Sequence, residues 1–148
     1  MGWVAFAIAA TVYCLTAEPT ASLWDCSEFI ISAYKLEIGH PPGAPFFMLT
    51  ANVISQFASD PSQVAYMVNI MSALLSAGCV MLLFWTVSHL MRRLLCGYGE
   101  VERMQDLLLI EGSALVGALA CMFSDSFWYS AVEAEVYAYS SFLTALVF

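Results

Sequence analysis

Residues 61–93 form the sequence PSQVAYMVNIMSALLSAGCVMLLFWTVSHLMRR, and the first 28 of them carry no formal charge. An apolar stretch of this length can cross the hydrocarbon core of a bilayer, which needs about 20 helical residues. Asp60 offers an N-cap acceptor, Pro61 suits the first helical position, and Gln63 completes a capping box. The sequence therefore predicts a membrane-spanning helix over residues 61–91.

Three further apolar stretches, at residues 2–17, 107–124 and 136–148, bring the number of predicted spans to four. Of the 148 residues, 61% are hydrophobic and 11% are charged, and the mean hydropathy is +0.80. Soluble domains carry about 25% charged residues. We therefore expect an all-α, polytopic membrane module over residues 1–148, and we expect it to be the N-terminal part of a longer protein.

The charge balance excludes one class of partner. The net charge is −8 with only four basic residues, so the chain lacks the basic patch that a nucleic acid partner requires. The cysteines are odd in number, scattered and without a CxxC pair, and we expect them to be small apolar fillers. They are Cys14, Cys26, Cys79, Cys96 and Cys121.

The distribution of charge predicts the orientation of the spans. Arg92, Arg93 and Arg103 lie between the second and third spans, and basic residues in short loops stay on the cytoplasmic side. The first loop (residues 18–60) and the second loop (residues 124–135) then share the outer face of a multi-pass protein of the cytoplasmic membrane. These two loops contain eight of the twelve acids, opposed only by Lys35. The acids are Glu18, Asp25, Glu28, Glu37, Asp60, Asp125, Glu133 and Glu135.

The first loop is predicted to hold two juxtamembrane helices. One covers residues 22–38 and ends at Gly39 and Pro41, and the other covers residues 46–59 after a proline-rich turn. Polar residues recur in the first helix at spacings of three and four, which predicts one polar stripe. The stripe consists of Asp25, Glu28, Ser32 and Lys35.

Asp25 and Glu28 are the first candidates for chemistry, because a spacing of three places both carboxylates on one helix face. Such a pair can divide the work of a base and a substrate ligand. Alternatively, Asp25 closes a capping pattern that starts at Ser22. His40 can donate a proton or bind an anion, or it is simply a solvated turn residue.

The second loop offers Glu133 and Glu135, which a helix would direct to different faces. A capping box from Ser130 to Glu133 is the structural alternative to a functional role, and metal binding by these two glutamates alone is not expected. Glu111 is either a proton relay or a residue reaching back to the interface. Asn69 is expected to form hydrogen bonds between helices.

Several longer stretches of the sequence resemble one known family. They are TAEPTASLWDCSEFI at residues 16–30, AYKL at 33–36, GHPPGAP at 39–45, FSDSFW at 123–128 and AVEAEVY at 131–137. Together they resemble the bacterial protein O-mannosyltransferase-like family of the GT-C glycosyltransferases. The resemblance implies a membrane enzyme that uses lipid-phosphate-linked sugars, with a catalytic base at the position of Asp25. Many relatives have adjacent Asp-Glu there, whereas Glu28 follows three residues later in this chain.

The resemblance implies transfer of a hexose, most plausibly mannose, from a polyprenyl-phosphate carrier to a Ser/Thr or other hydroxyl acceptor. Asp25 is the expected base. We expect the positioning of donor or acceptor to involve Glu28, Lys35, His40, Glu133 and Glu135. No metal-ligand set is predicted, and a divalent metal requirement stays open. The rival interpretations are a secondary transporter, with Glu111 and the outer acids binding protons or cations, and a non-catalytic scaffold subunit.

Overall fold

The structure, a computed structural model, describes residues 1–41, 43–97 and 99–147, and within this part of the chain helices are the only regular secondary structure, with no strand. A short 3₁₀ turn at Pro61–Gln63 precedes the longest helix. The α-helices are α1 (Gly2–Thr16), α2 (Cys26–Lys35), α3 (Pro45–Ser55), α4 (Val64–Cys96), α5 (Met104–Met122), α6 (Asp125–Val132) and α7 (Val136–Val147).

Helix α4 is the axis of the fold, and α1, α5, α6 and α7 all pack against it. Small side chains on α4 permit this close packing, as is common between membrane helices. At Gly78, an added Cβ would lie 2.7 Å from the ring of Phe142 on α7. A larger residue at this position would therefore push α7 away from α4.

The predicted N-cap at Asp60 is confirmed, but the predicted capping box is wrong, because Gln63 bonds to the residue before the N-cap and Asp60 bonds to Ser62. Asp60 Oδ1 accepts from the N–H of Ser62 at 2.8 Å, and Gln63 Oε1 accepts from the N–H of Ser59 at 3.3 Å. Pro61–Cys96 and α5 are long and apolar enough to cross a membrane. Helices α1 and α7 are shorter, at 15 and 12 residues. The all-helical class is confirmed, while the count of four spans stays a prediction.

Helix α2 is shorter than the helix predicted over residues 22–38. Trp24 has a φ of 69°, which a bulky residue rarely adopts and which interrupts a right-handed helix, so α2 begins only at Cys26. Leu36 is left-handed as well and ends the helix after Lys35. The capping pattern predicted from Ser22 is wrong, because Ser22 Oγ donates to the carbonyl of Leu23.

The polar stripe predicted for the same helix is also wrong. Asp25 is the residue before α2, and Ser32 is buried. The buried face of α2 packs with α3 and α4 in one apolar cluster, and the carbonyls of Ala33 and Tyr34 accept from Asn52 Nδ2 on α3 at 2.9 and 3.1 Å. Helix α3 ends at Ser55, four residues before its predicted end.

Three long-range hydrogen bonds hold the start of the first loop, and one of them joins it to the second loop. Asn69 on α4 donates from Nδ2 to the carbonyls of Glu18 at 2.7 Å and Thr20 at 3.0 Å. The N–H of Glu18 donates in turn to the carbonyl of Val132 at 3.0 Å. Asn69 therefore bonds to a loop and not between spanning helices as predicted. The start of the first loop is therefore held beside the last residue of α6, which belongs to the second loop.

Candidate active site

His40 lies between two acidic side chains of the first loop, those of Glu28 and Asp25. Its backbone N–H donates to Glu28 Oε1 at 2.7 Å, and its ring Nδ1 lies 3.0 Å from Glu28 Oε2. The other ring nitrogen, Nε2, lies 4.0 Å from Asp25 Oδ2. The turn after α2 therefore folds back toward the start of that helix and aligns three of the predicted site residues.

Glu28 and His40 change one another's titration. The hydrogen bonds from the backbone and ring of His40 lower the pKa of Glu28, and the pairing with Glu28 raises the pKa of His40. Asp25 adds a smaller contribution that raises the pKa of His40 further. The imidazole thus keeps its proton to higher pH than an isolated histidine does.

A second cluster joins the two loops through Cys26. The buried thiol of Cys26, only 1% exposed, lies 3.5 Å from Glu133 Oε2 and 3.3 Å from Glu135 Oε1. The cysteines of the described chain are all free, but Cys26 is more than an apolar filler. This role was not predicted from the sequence, in which the only signal is the position of Cys26 next to Asp25.

The two glutamates meet because the chain between α6 and α7 is not helical. Glu133 is extended, and the N–H of Glu135 donates to the Glu133 carbonyl at 2.9 Å. The expectation that they would face apart is therefore wrong. The capping box from Ser130 is also wrong, since Ser130 lies inside α6 and donates to the carbonyl of Ser126.

Burial dominates the titration of this cluster. It raises the pKa of the Cys26 thiol to about 12, so the thiol keeps its proton at neutral pH. It also raises the pKa of Glu135, which the negative charges of Asp25 and Glu133 raise further. The hydrogen bond from Cys26 acts in the opposite direction and lowers the pKa of Glu135.

A cavity of about 340 Å³ lies between the two clusters. Asp25, His40 and Glu135 contribute to its wall, so side chains of both loops face one space. Glu28 contacts the wall residue His40, and Glu133 contacts Cys26, which in turn contacts the wall residue Glu135. Lys35 is exposed at the opposite end of α2 and does not line this cavity. The full wall consists of Asp25, Phe29, His40, Gly43, Ala44, Glu135, Val136 and Tyr137.

Two groups of side chains near the cavity have ligand atoms close enough together to hold a metal ion. In Asp25, Glu28 and His40, and likewise in Cys26, Glu133 and Glu135, one ligand atom from each residue lies within 4.8 Å of the others. Carboxylate, imidazole and thiolate groups all bind divalent metals. The hydrogen bonds within each set nevertheless account for its geometry without a metal.

Glu111 lies apart from these clusters, between α4 and α5. Its Oε1 accepts from the Ser88 hydroxyl at 3.3 Å, and its Oε2 is buried without a hydrogen-bond partner among the described residues. Glu111 does not line the 340 Å³ cavity. The candidate site is thus built from the two loops and from the first turn of α7, which contributes Val136 and Tyr137.

The chain is similar in sequence to two proteins named as O-mannosyl-transferases. The chain is 32% identical over 145 residues to mouse "Protein O-mannosyl-transferase TMEM260", covering 96% of this chain and 18% of that protein. It is 23% identical over 137 residues to "Protein O-mannosyl-transferase tmem260" of Dictyostelium discoideum, covering 92% of this chain and 15% of the relative. The chain thus spans less than a fifth of the length of these relatives.

No solved structure gives a significant match to the chain. The family model described as "Protein O-mannosyl-transferase TMEM260 N-terminal domain" matches residues 25–148, which include every residue of the cavity wall. Because this match covers most of the chain, the chain belongs to the protein O-mannosyl-transferase TMEM260 N-terminal domain family.

Proposed function

We propose that the full-length protein is a GT-C type membrane glycosyltransferase and that this module supplies the base that activates the acceptor. The donor is a mannose carried on polyprenyl phosphate, and the acceptor is a Ser or Thr hydroxyl of a protein. The names of the relatives support a mannosyltransferase. The observation that carries the assignment is the placement of Asp25, 61% exposed, in the wall of a cavity built by both loops.

The chemistry needs a base because an aliphatic hydroxyl is a weak nucleophile at neutral pH. The acceptor oxygen attacks the anomeric carbon of mannose and forms the new glycosidic bond. The bond from that carbon to the phosphate oxygen breaks, and its electron pair leaves with the polyprenyl phosphate. Asp25 takes the hydroxyl proton as the bond forms. An exposed carboxylate that faces a cavity can approach the acceptor closely enough to do this.

His40 and Glu135 flank the base and have different tasks in this proposal. His40, whose pKa is raised by its pairing with Glu28, places its ring beside Asp25 and can present a positive charge there. Glu135 lies across the cavity and has a raised pKa, so it is the carboxyl group better suited to share a proton with a sugar or acceptor hydroxyl. Lys35, at the far end of α2, is left for contacts with a larger acceptor.

The cavity is poorly suited to the phosphate of the donor. Within the described residues, His40 is the only basic side chain in its wall, and it is already paired with Glu28. Phosphate oxygens are normally held by cationic or hydrogen-bonding groups. We therefore assign the phosphate partners to other parts of the full-length protein, whose relatives are more than five times as long as this chain.

A membrane location follows from the donor. A polyprenyl chain stays in the bilayer while its sugar reaches water, so the reacting groups belong at the membrane boundary. We propose that α1, α4, α5 and α7 cross the membrane and that both loops lie on the outer face. The concentration of Arg92, Arg93 and Arg103 in the connection between α4 and α5 supports this orientation.

The test compares full-length wild-type protein with Asp25→Asn in transfer of mannose from a polyprenyl-phosphate donor to a Ser/Thr peptide. Loss of a general base lowers the rate by about 100- to 10,000-fold. Glu37→Gln is the matched control, because Glu37 is an exposed acid of the same loop outside the cavity, and it should keep the wild-type rate. Equal rates for Asp25→Asn and wild type would exclude Asp25 as the base.

A further inference from the structure

A second cavity, of about 360 Å³, adjoins the candidate active site, and we call it the serine cavity. Tyr137 belongs to the walls of both cavities and is 66% exposed. Among the described residues, no charged side chain lines the serine cavity. Its hydroxyl groups come from α4, α6, α7 and the residue before α6. They belong to Ser76, Ser124, Ser126, Ser130, Tyr137 and Ser141.

Ser76 is the observation that indicates a ligand. Its side chain is 1% exposed, and its Oγ has no hydrogen-bond partner among the described residues. A buried hydroxyl without a partner is unfavourable, and native structures normally satisfy such groups with protein, water or ligand. Because Ser76 lies in the wall of the cavity, a hydroxyl-bearing ligand there can supply the missing hydrogen bond.

The other serines keep hydrogen-bonding capacity for a ligand. Ser124 and Ser130 donate to the carbonyls of Cys121 and Ser126, which leaves the lone pairs of both hydroxyl oxygens available. The ring of Phe127 adds an apolar surface to the same wall. Hydroxyl groups combined with aromatic rings suit a pyranose, whose hydroxyls form hydrogen bonds while its C–H face packs on a ring.

We propose that the serine cavity binds a neutral hexose unit, an inference that rests on the proposed mannosyl transfer for the identity of the sugar. Two sources can supply this chemistry: the mannose of the lipid-linked donor, or a mannose already attached to the product. In both cases Tyr137 forms the border between the sugar and the space that Asp25 faces.

The first experiment measures binding without turnover. Full-length protein is melted with increasing methyl α-D-mannopyranoside, and sorbitol at equal concentration corrects for general stabilisation by polyols. The sugar should raise the melting temperature of the wild type beyond the effect of sorbitol. In Ser76→Ala, the concentration for the half-maximal shift should rise at least fivefold, and Ser141→Leu, which fills the cavity, should abolish the shift.

Ser72→Ala is the matched control. Ser72 is also buried on α4 with an unpartnered Oγ, but it does not line the serine cavity, so this variant should respond like the wild type. The proposal is overturned if the wild type shows no shift beyond sorbitol. It is equally overturned if Ser76→Ala and Ser141→Leu respond to the sugar as the wild type does.

The second experiment distinguishes the two sources of sugar. A raised donor KM in Ser76→Ala, with the acceptor KM unchanged, assigns the cavity to the donor mannose. Weaker inhibition by a mannosylated peptide, with both KM values unchanged, assigns it to the product. If none of these constants changes, the site has no part in the reaction and the proposal falls. Asp25→Asn should keep the sugar-dependent melting shift, so failure of the proposed base and failure of the sugar site are separate results.

Discussion

Asn69→Ala should release the first loop from the body of the protein. Asn69 is 1% exposed, and its Nδ2 donates to the Glu18 carbonyl at 2.7 Å and the Thr20 carbonyl at 3.0 Å. A hydrogen bond between neutral groups contributes about 1 kcal/mol net. Losing both bonds lowers the free energy of local opening by about 2 kcal/mol, which corresponds to an increase of about 30-fold in the opening equilibrium.

Amide hydrogen exchange in the full-length protein measures this change directly. The N–H of Glu18 is bonded to the Val132 carbonyl, so its exchange reports whether the two loops stay together. We expect that exchange to accelerate about 30-fold in Asn69→Ala. In the control Ser72→Ala it should be unchanged, since Ser72 Oγ has no partner among the described residues. An unchanged Glu18 exchange in Asn69→Ala would refute the claim that Asn69 holds the loops.

Two further predictions concern titration. Glu28→Gln should lower the pKa of His40, which is measured by NMR of its ring. In the wild type, the pair stabilises the fold fully between the ordinary pKa of Glu28 and the ordinary pKa of His40. This stabilisation is lost as pH rises through the raised pKa of His40. An unchanged His40 titration would contradict the pairing. Cys26→Ala should raise the pKa of Glu135, measured by NMR of its side-chain carboxyl carbon, whereas Cys26→Ser, which keeps a donor, should raise it less. Identical titrations of Glu135 in the two variants would contradict this role of Cys26.

The local sequence signals were reliable where one short segment decides the structure. The N-cap at Asp60 lies where the pattern predicted, because its partner Ser62 is only two residues away along the chain. The pattern failed at Trp24, where a residue with ordinary helix propensity adopts a positive φ, and no rule of composition indicates that turn. The start of α2 was therefore misplaced by four residues.

The candidate site was likewise predictable from the sequence only in part. Asp25, Glu28, His40, Glu133 and Glu135 could be selected from the sequence, because they are ionisable and lie within the stretches that carry the family resemblance. Their partners could not be selected. Cys26 contacts glutamates 107 and 109 residues away, and its role depends on the non-helical chain between α6 and α7.

The sequence by itself determined a helical protein with long apolar helices and two acidic loops, because periodic apolar runs and clustered charges depend only on neighbouring residues. The tertiary structure alone decided which acids share a cavity. Asn69 holds the start of the first loop, and the extended Glu133–Glu135 segment brings the second loop to Cys26. Contacts between residues that far apart depend on how α4 packs with its neighbours, and a linear pattern does not encode that packing locally.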